Sequence, residues 1–209
     1  MRFNRAVRSF SDPVLLESGL VRLEPLARHH ADGLAAAAAD GDVWRKWSTS
    51  VPAPDEVPAE IERRLALQRA GTMAPWATCL PDGTPVGMTT YMNLDAPNRR
   101  LEIGSTWLAA SAQRTAVNPA AKLLQLTRAF EVLDCIAVEL RTDWHNRQSR
   151  RAIAALGAKQ DGVLRSHMLR PGYVRDTVVF SIIASEWPAV RLGLRERLGL
   201  PREAGGAPR

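Results

Sequence analysis

Cysteine is scarce in this chain. There are two in 209 residues, Cys79 and Cys135, which is too few for a disulfide framework or a cysteine-built zinc site. Both lie in strand-like apolar stretches and read as buried thiols. The four histidines (His29, His30, His145, His167) show no zinc-ligand spacing with each other or with the cysteines, so no metal is expected. No apolar run approaches the ~20 residues that cross a bilayer. The basic N-terminus, MRFNRAVRSFSDPV, lacks the apolar core of a secretory signal, so a cytoplasmic protein is expected. There is no internal repeat and no long linker. Aromatic residues do not interleave with basic ones as in an RNA-binding sheet, and no helix-turn-helix pattern stands out, which argues against a nucleic-acid partner.

What is present is charge and enough apolar residues for a core. The net charge is +6, from 28 basic and 22 acidic residues, which favours an anionic ligand. Alone it does not choose between nucleic acid, a phosphorylated cofactor and simple solubility. With 45% hydrophobic and 24% charged residues, the chain reads as a globular protein of one well-buried domain or two very small ones.

In order, residues 1–12 read as a flexible basic arm. Residues 14–26 alternate apolar and polar about Ser18-Gly19, as a short hairpin or bent strand does. Residues 29–39 are alanine-rich and helical, broken by Gly41-Asp42. Trp44 and Trp47 follow, as a core anchor or a substrate wall, with burial the commoner use of large aromatics. Residues 55–70 form an amphipathic helix carrying Val57, Ile61, Leu65 and Leu67, stopped by Gly71. Two strands flank Asp82-Gly83, a hairpin signal. The next strand, RRLEIGSTWL, places Leu101, Ile103 and Trp107 on one face and Glu102, Gly104 and Thr106 on the other.

The stretch from Ser111 to Phe130 is a loop feeding a helix. Asn118 suits the N-cap and Pro119 the first helical position. Leu123, Leu126, Ala129, Phe130 and Leu133 give a core-facing stripe. Free N–H groups at such a start suit an anion, and the same residues equally make an ordinary loop before an ordinary helix. A strand over 135–142, a helix over 146–156 stopped by Gly157, strands over 158–169 and 174–183, and a helix over 186–198 complete the domain. Residues 199–209 read as a flexible tail.

This order of elements, with three local signatures, resembles the GNAT superfamily of acyl-CoA-dependent N-acyltransferases, nearest the ribosomal-protein N-terminal acetyltransferase branch, over roughly residues 14–190. The first signature is Glu102-Ile103-Gly104 followed by Trp107. The second is the pyrophosphate loop Gln113-Arg114-Thr115-Ala116-Val117-Asn118, in which Ala116 replaces the expected glycine and Arg114 stands where many relatives also carry glycine. The third, and most specific, is Asn146-Arg147-Gln148-Ser149 with Leu156-Gly157-Ala158. The resemblance implies an α+β (mixed α/β) fold: a central twisted mixed sheet, mostly antiparallel, with one splayed parallel pair and helices on both faces. It implies a single domain over 13–198.

The resemblance also implies transfer of an acetyl group from acetyl-CoA to a primary amine, without a metal. The partners are then acyl-CoA and an amine acceptor, a homodimer is compatible with the family, and no membrane is involved. Trp107, Leu108, Gln113, Arg114, Thr115, Ala116, Val117, Asn118, Lys122, Asn146, Ser149 and Arg150 fall at cofactor-binding positions. Lys122 is read either as a phosphate ligand or as solvent-exposed. An amine with a pKa near ~8 to ~10.4 must lose a proton before it attacks a thioester. Glu102 is the candidate base, against a salt bridge with Arg99, Arg100 or a neighbouring strand. Asn146 and Ser149 are candidates to hold the leaving thiolate, against a local helix cap. His145 and Tyr173 are further acid candidates. Arg147, Arg150 and Arg151 either meet a phosphate or face solvent. Trp44, Trp47, Tyr91 and His167 are candidate acceptor-wall residues. A weak or inactive member of the fold, acting as a binding module, is the alternative that Ala116 raises.

Overall fold

In the computed structural model, residues 9–201 are described; residues 1–8 of the expected arm and 202–209 of the tail lie outside them. Residues 9–12 are not a free arm. Phe10 packs against the core, and Ser11 O accepts from Gln68 Nε2 at 3.4 Å.

Eight strands form one sheet in the order β1-β2-β3-β4-β5-β6-β8-β7. β1 (Leu16–Glu17) and β2 (Arg22–Pro25) make the hairpin about Ser18-Gly19. β3 (Ala74–Cys79) and β4 (Pro85–Asp95) turn at Gly83, whose φ of +89° is one that glycine adopts without penalty. β5 (Arg100–Leu108) pairs antiparallel with β4 and parallel with β6 (Ala137–Asp143). β7 (Lys159–Arg170) and β8 (Tyr173–Ile183) form the closing hairpin, with β8 against β6.

Helices cover both faces. α1 (Ala31–Ala39) and α2 (Val57–Arg69) lie over β3 and β4 on one side, where buried Arg64 of α2 donates to Thr90 Oγ1 at 2.7 Å. On the other side is α3 (Val117–Thr127), whose Gln125 carbonyl accepts from the Tyr91 hydroxyl of β4. α4 (Arg147–Ala154) packs on β6 and β8, and α5 (Trp187–Arg197) packs on α3. One cluster of buried side chains runs from Val21 to Leu194, with Trp76 edge-on to Tyr91 at its centre.

Two sequence expectations change. α3 starts at Val117, so Asn118 is not the N-cap. The Thr115 hydroxyl accepts from the Val117 N–H at 3.2 Å and serves the first turn in its place. Pro119 then sits inside that first turn, where no helical hydrogen bond is lost. The strict alternation along β5 also fails. Gly104 pairs with Thr90 but Trp107 pairs with Met88, so β5 carries one extra residue, and Ser105 adopts φ +46°. This bulge moves every later side chain to the other face. Trp107 therefore shares the face of Glu102, and Thr106 turns towards α3, where it meets Thr89 at 2.8 Å.

Candidate active site

The parallel pair is short. β5 and β6 pair at Arg100 with Ala137, Leu101 with Val138 and Glu102 with Glu139, and no further. Both strands continue, β5 to Leu108 and β6 to Asp143, so they diverge beyond Glu102. The gap opens into a cleft of about 1060 Å³. Main-chain groups of β5 facing this gap have no ladder partner on β6.

One end of the cleft is the loop before α3. Gln113, Arg114, Thr115 and Asn118 line it, with Trp107 and Leu108 of β5. Among the described residues nothing accepts from the N–H groups of Arg114, Thr115 and Ala116. Ala116 has an ordinary φ of −68°, so a methyl group is harmless where glycine was expected. The left-handed position is Arg114, at φ +62°. Its side chain is exposed on the rim and leaves the cleft open. Val117 and Ala116 do not line the cleft with their side chains.

Opposite stands the start of α4. Asn146 caps it, accepting from the Ser149 N–H at 3.0 Å, so the local reading of this pair is present. Both residues also line the cleft, and the Ser149 hydroxyl has no hydrogen-bond partner among the described residues. Asn146→Ala is expected to lower stability by about 1 kcal/mol, measured by urea unfolding. Arg147 and Arg151 line the cleft. Arg150 does not: it stacks on Trp144 at 4.2 Å and donates to the Trp144 carbonyl.

Glu102 lies where the strands part, only 6% exposed. Asn93 Nδ2 donates to its Oε2 at 2.7 Å, and Arg141 Nε of β6 stands 3.6 Å from the same oxygen. Arg99 and Arg100 are not its partners, being engaged by Asp134 and Glu139. Burial pushes the Glu102 carboxyl above the usual carboxylate range, with Asn93 and Arg141 opposing. Gly104 makes room for it, since a Cβ there would stand 2.8 Å from Glu102 Oε1.

Three other expectations are corrected. Lys122 is neither exposed nor free to meet a phosphate. It is buried, and its Nζ donates to Gln125 Oε1, Thr89 Oγ1 and Thr106 Oγ1 at 2.8, 2.9 and 3.1 Å. With no carboxylate beside it, burial lowers its pKa to about 7. Tyr91 is fully buried with its hydroxyl committed to α3, so it forms no acceptor wall. Trp47 is not a core anchor: it is 64% exposed and packs on Tyr173 and His145. Neither Trp47 nor the half-buried Trp44 lines the cleft, whereas His167 does, with Nδ1 3.0 Å from Thr177 Oγ1. The Tyr173 hydroxyl donates to Asp143 Oδ2 at 2.7 Å and is spent there. The sequence reading missed Asn93, Arg141, Asp143 and Arg175, which surround the Glu102 end. Only strand register brings them together.

The residues at the loop end fit a pyrophosphate-bearing ligand: unpaired N–H groups, the start of α3, and the cations Arg147 and Arg151 across the gap. Comparison with known proteins agrees. Residues 21–159 match the family model "Acetyltransferase (GNAT) domain". "Putative ribosomal N-acetyltransferase YdaF" of Bacillus subtilis (strain 168) is 32% identical over 111 residues, 53% of this chain and 60% of that one. A solved acetyltransferase structure from T. thermophilus is 35% identical with a TM-score of 0.78, covering 90% of this chain and 98% of that chain. Mycobacterium smegmatis RimJ in complex with CoA-disulfide shares the fold, at 24% identity and a TM-score of 0.76, over 90% of this chain and 96% of that chain. A diverging parallel pair, an unpaired N–H loop and a family model spanning most of the chain lead to one conclusion: this protein belongs to the GNAT acetyltransferase family.

Proposed function

We propose that the chain transfers an acetyl group from acetyl-CoA to a primary amine by direct attack on the thioester. The observation that carries this reading is the buried Glu102 at the point where β5 and β6 separate, facing a cleft whose other end is a loop of free N–H groups. Bound acetyl-CoA supplies the activated acyl group.

The chain's residues then divide the work. N–H groups of Arg114 to Ala116 and the positive end of α3 hold the pyrophosphate, with Arg147 and Arg151 adding charge. Trp107 Nε1, buried without a partner among the described residues, is a further donor into the cleft. Unladdered N–H groups of β5 polarise the thioester carbonyl. Glu102 takes the amine proton, directly or through water. Its raised pKa makes it a stronger base than an exposed carboxylate. Asn146 and the unpartnered Ser149 hydroxyl hydrogen-bond the departing thiolate. A serine is a weak acid, so it stabilises that charge more than it neutralises it.

Acetyl-CoA at about 100 times its Kd is expected to stabilise the chain by about 2.7 kcal/mol, read as a rise in Tm. No shift at millimolar acetyl-CoA would sink the proposal. Acetyl-CoA binding without thiol release to any amine would favour the binding-module alternative. The ordinary φ of Ala116 removes the reason that alternative had.

A further inference from the structure

The Glu102 end of the cleft holds an arginine with no hydrogen-bond partner among the described residues. Arg175 lies on β8 opposite Met168 of β7, with its side chain 16% exposed. Its Nε is shielded from solvent and donates to none of them. The carboxylate beside it, Asp143, brings Oδ2 only to 3.9 Å from that Nε, beyond hydrogen-bond range. Asp143 is otherwise satisfied, since Tyr173 OH donates to Oδ2 and the His145 N–H to Oδ1. It offers Arg175 charge without geometry. A guanidinium is a planar fork of five donors that stays charged, and it matches carboxylates and phosphates two bonds at a time.

Strand register aims Arg175 at the same space as Glu102. Glu102 pairs with Glu139, and Asp143, two pleats further along β6, pairs with Thr177 of β8. Paired residues share a face and the pleat repeats every two residues, so Glu102, Arg141, Asp143, Thr177 and Arg175 point from one face. All five line the cleft, and Arg175 is close enough for its charge to act on the Glu102 carboxyl. Arg141 cannot serve an incoming anion equally well, because it already donates to Glu139 at 2.7 and 3.0 Å. Lys46 and Arg170 also line this end, so four cations face the two carboxylates Glu102 and Asp143.

This inference rests on the acetyltransferase reading above. We propose that the acceptor carries an anionic group, a carboxylate or a phosphate, close to its amine, and that Arg175 binds this group while Glu102 receives the amine proton. Basic peptides are then poor acceptors, despite the carboxylates in the cleft.

The test offers the full chain acetyl-CoA and three acceptors that differ in one group: an amine bearing a carboxylate, its phosphate counterpart and its uncharged amide. Thiol release gives kcat and KM, and acetyl-CoA binding is followed separately by Tm. One or both anionic acceptors are expected to exceed the amide by about tenfold or more in kcat/KM, mainly through KM. The two arms identify which anion is preferred. Arg175→Gln is expected to collapse the preference, and Arg175→Lys to keep part of it. Equal use of charged and neutral acceptors by the wild type, or a preference that survives in Arg175→Gln, overturns the assignment while the transferase reading stands. Failure of acetyl-CoA to bind, with no thiol release to any amine, overturns both. The wild-type comparison decides the matter by itself if Arg175→Gln does not fold.

Discussion

Glu102→Gln is expected to lower kcat by about 10²–10⁴-fold while leaving acetyl-CoA binding in place. The amide is nearly isosteric and keeps an oxygen to accept the Asn93 bond of 2.7 Å, so the strand junction should survive. What is lost is the ability to take a proton. The pH profile separates this from damage to the fold. Burial raises the Glu102 pKa, so the basic form is populated only above a value higher than the ~4.3 of an exposed glutamate. Wild-type kcat/KM therefore falls as pH drops through that raised pKa, and the variant shows no such limb. A variant with near-wild-type rate and the same acid limb would move the base elsewhere, Asp143 being the next buried carboxylate on the cleft.

The second large effect concerns stability. Lys122→Met is expected to raise stability at neutral pH, and the gain should shrink as the pH rises. An unfolded lysine has a pKa near ~10.4, whereas Lys122 in the fold sits at about 7. Between these values the unfolded chain binds more protons than the folded one, so this residue makes wild-type stability climb with pH across that window. Below it the full cost of the buried ammonium remains. The variant lacks this dependence, and the gap between the two proteins should close by on the order of 3 kcal/mol from pH ~7 to ~10. Cys79 and Tyr91, both pushed up by burial, titrate alike in the two proteins and cancel in the comparison. Thr89, Thr106 and Gln125 keep bonds among themselves at 2.8 and 3.2 Å once the amine is gone. Urea unfolding at a series of pH values reads the gap, and a constant gap would show that the amine titrates normally.

Much of the fold was legible before any coordinates. Asp82-Gly83, Gly71 and Gly157 mark turns and stops because their positive φ suits glycine, and each lies where the local pattern placed it. The antiparallel run, the β5-loop-α3-β6 crossover and the closing hairpin also follow from short-range periodicity. The start of α3 was off by two residues, because Thr115 competes with Asn118 for the first-turn N–H groups. The faces of β5 after Ser105 were inverted, since one extra residue in a strand leaves no mark in composition.

Glu102, Asn146 and Ser149 could be picked out because they fall within contiguous motifs, although their roles are inferences. Lys122, Tyr91 and the tryptophans were misjudged because burial of a single side chain depends on what packs over it. Arg175 and Asp143 lie 73 and 41 residues along the chain from Glu102 and join it only through parallel and antiparallel register. The sequence by itself determined the elements, their order and the loop that suits a phosphate, all effects of neighbours within a few residues. Tertiary structure alone decided where β5 and β6 separate, which charges face that gap and which lysine is sealed beneath it. Those depend on strand pairing and solvent exclusion between segments far apart in the chain.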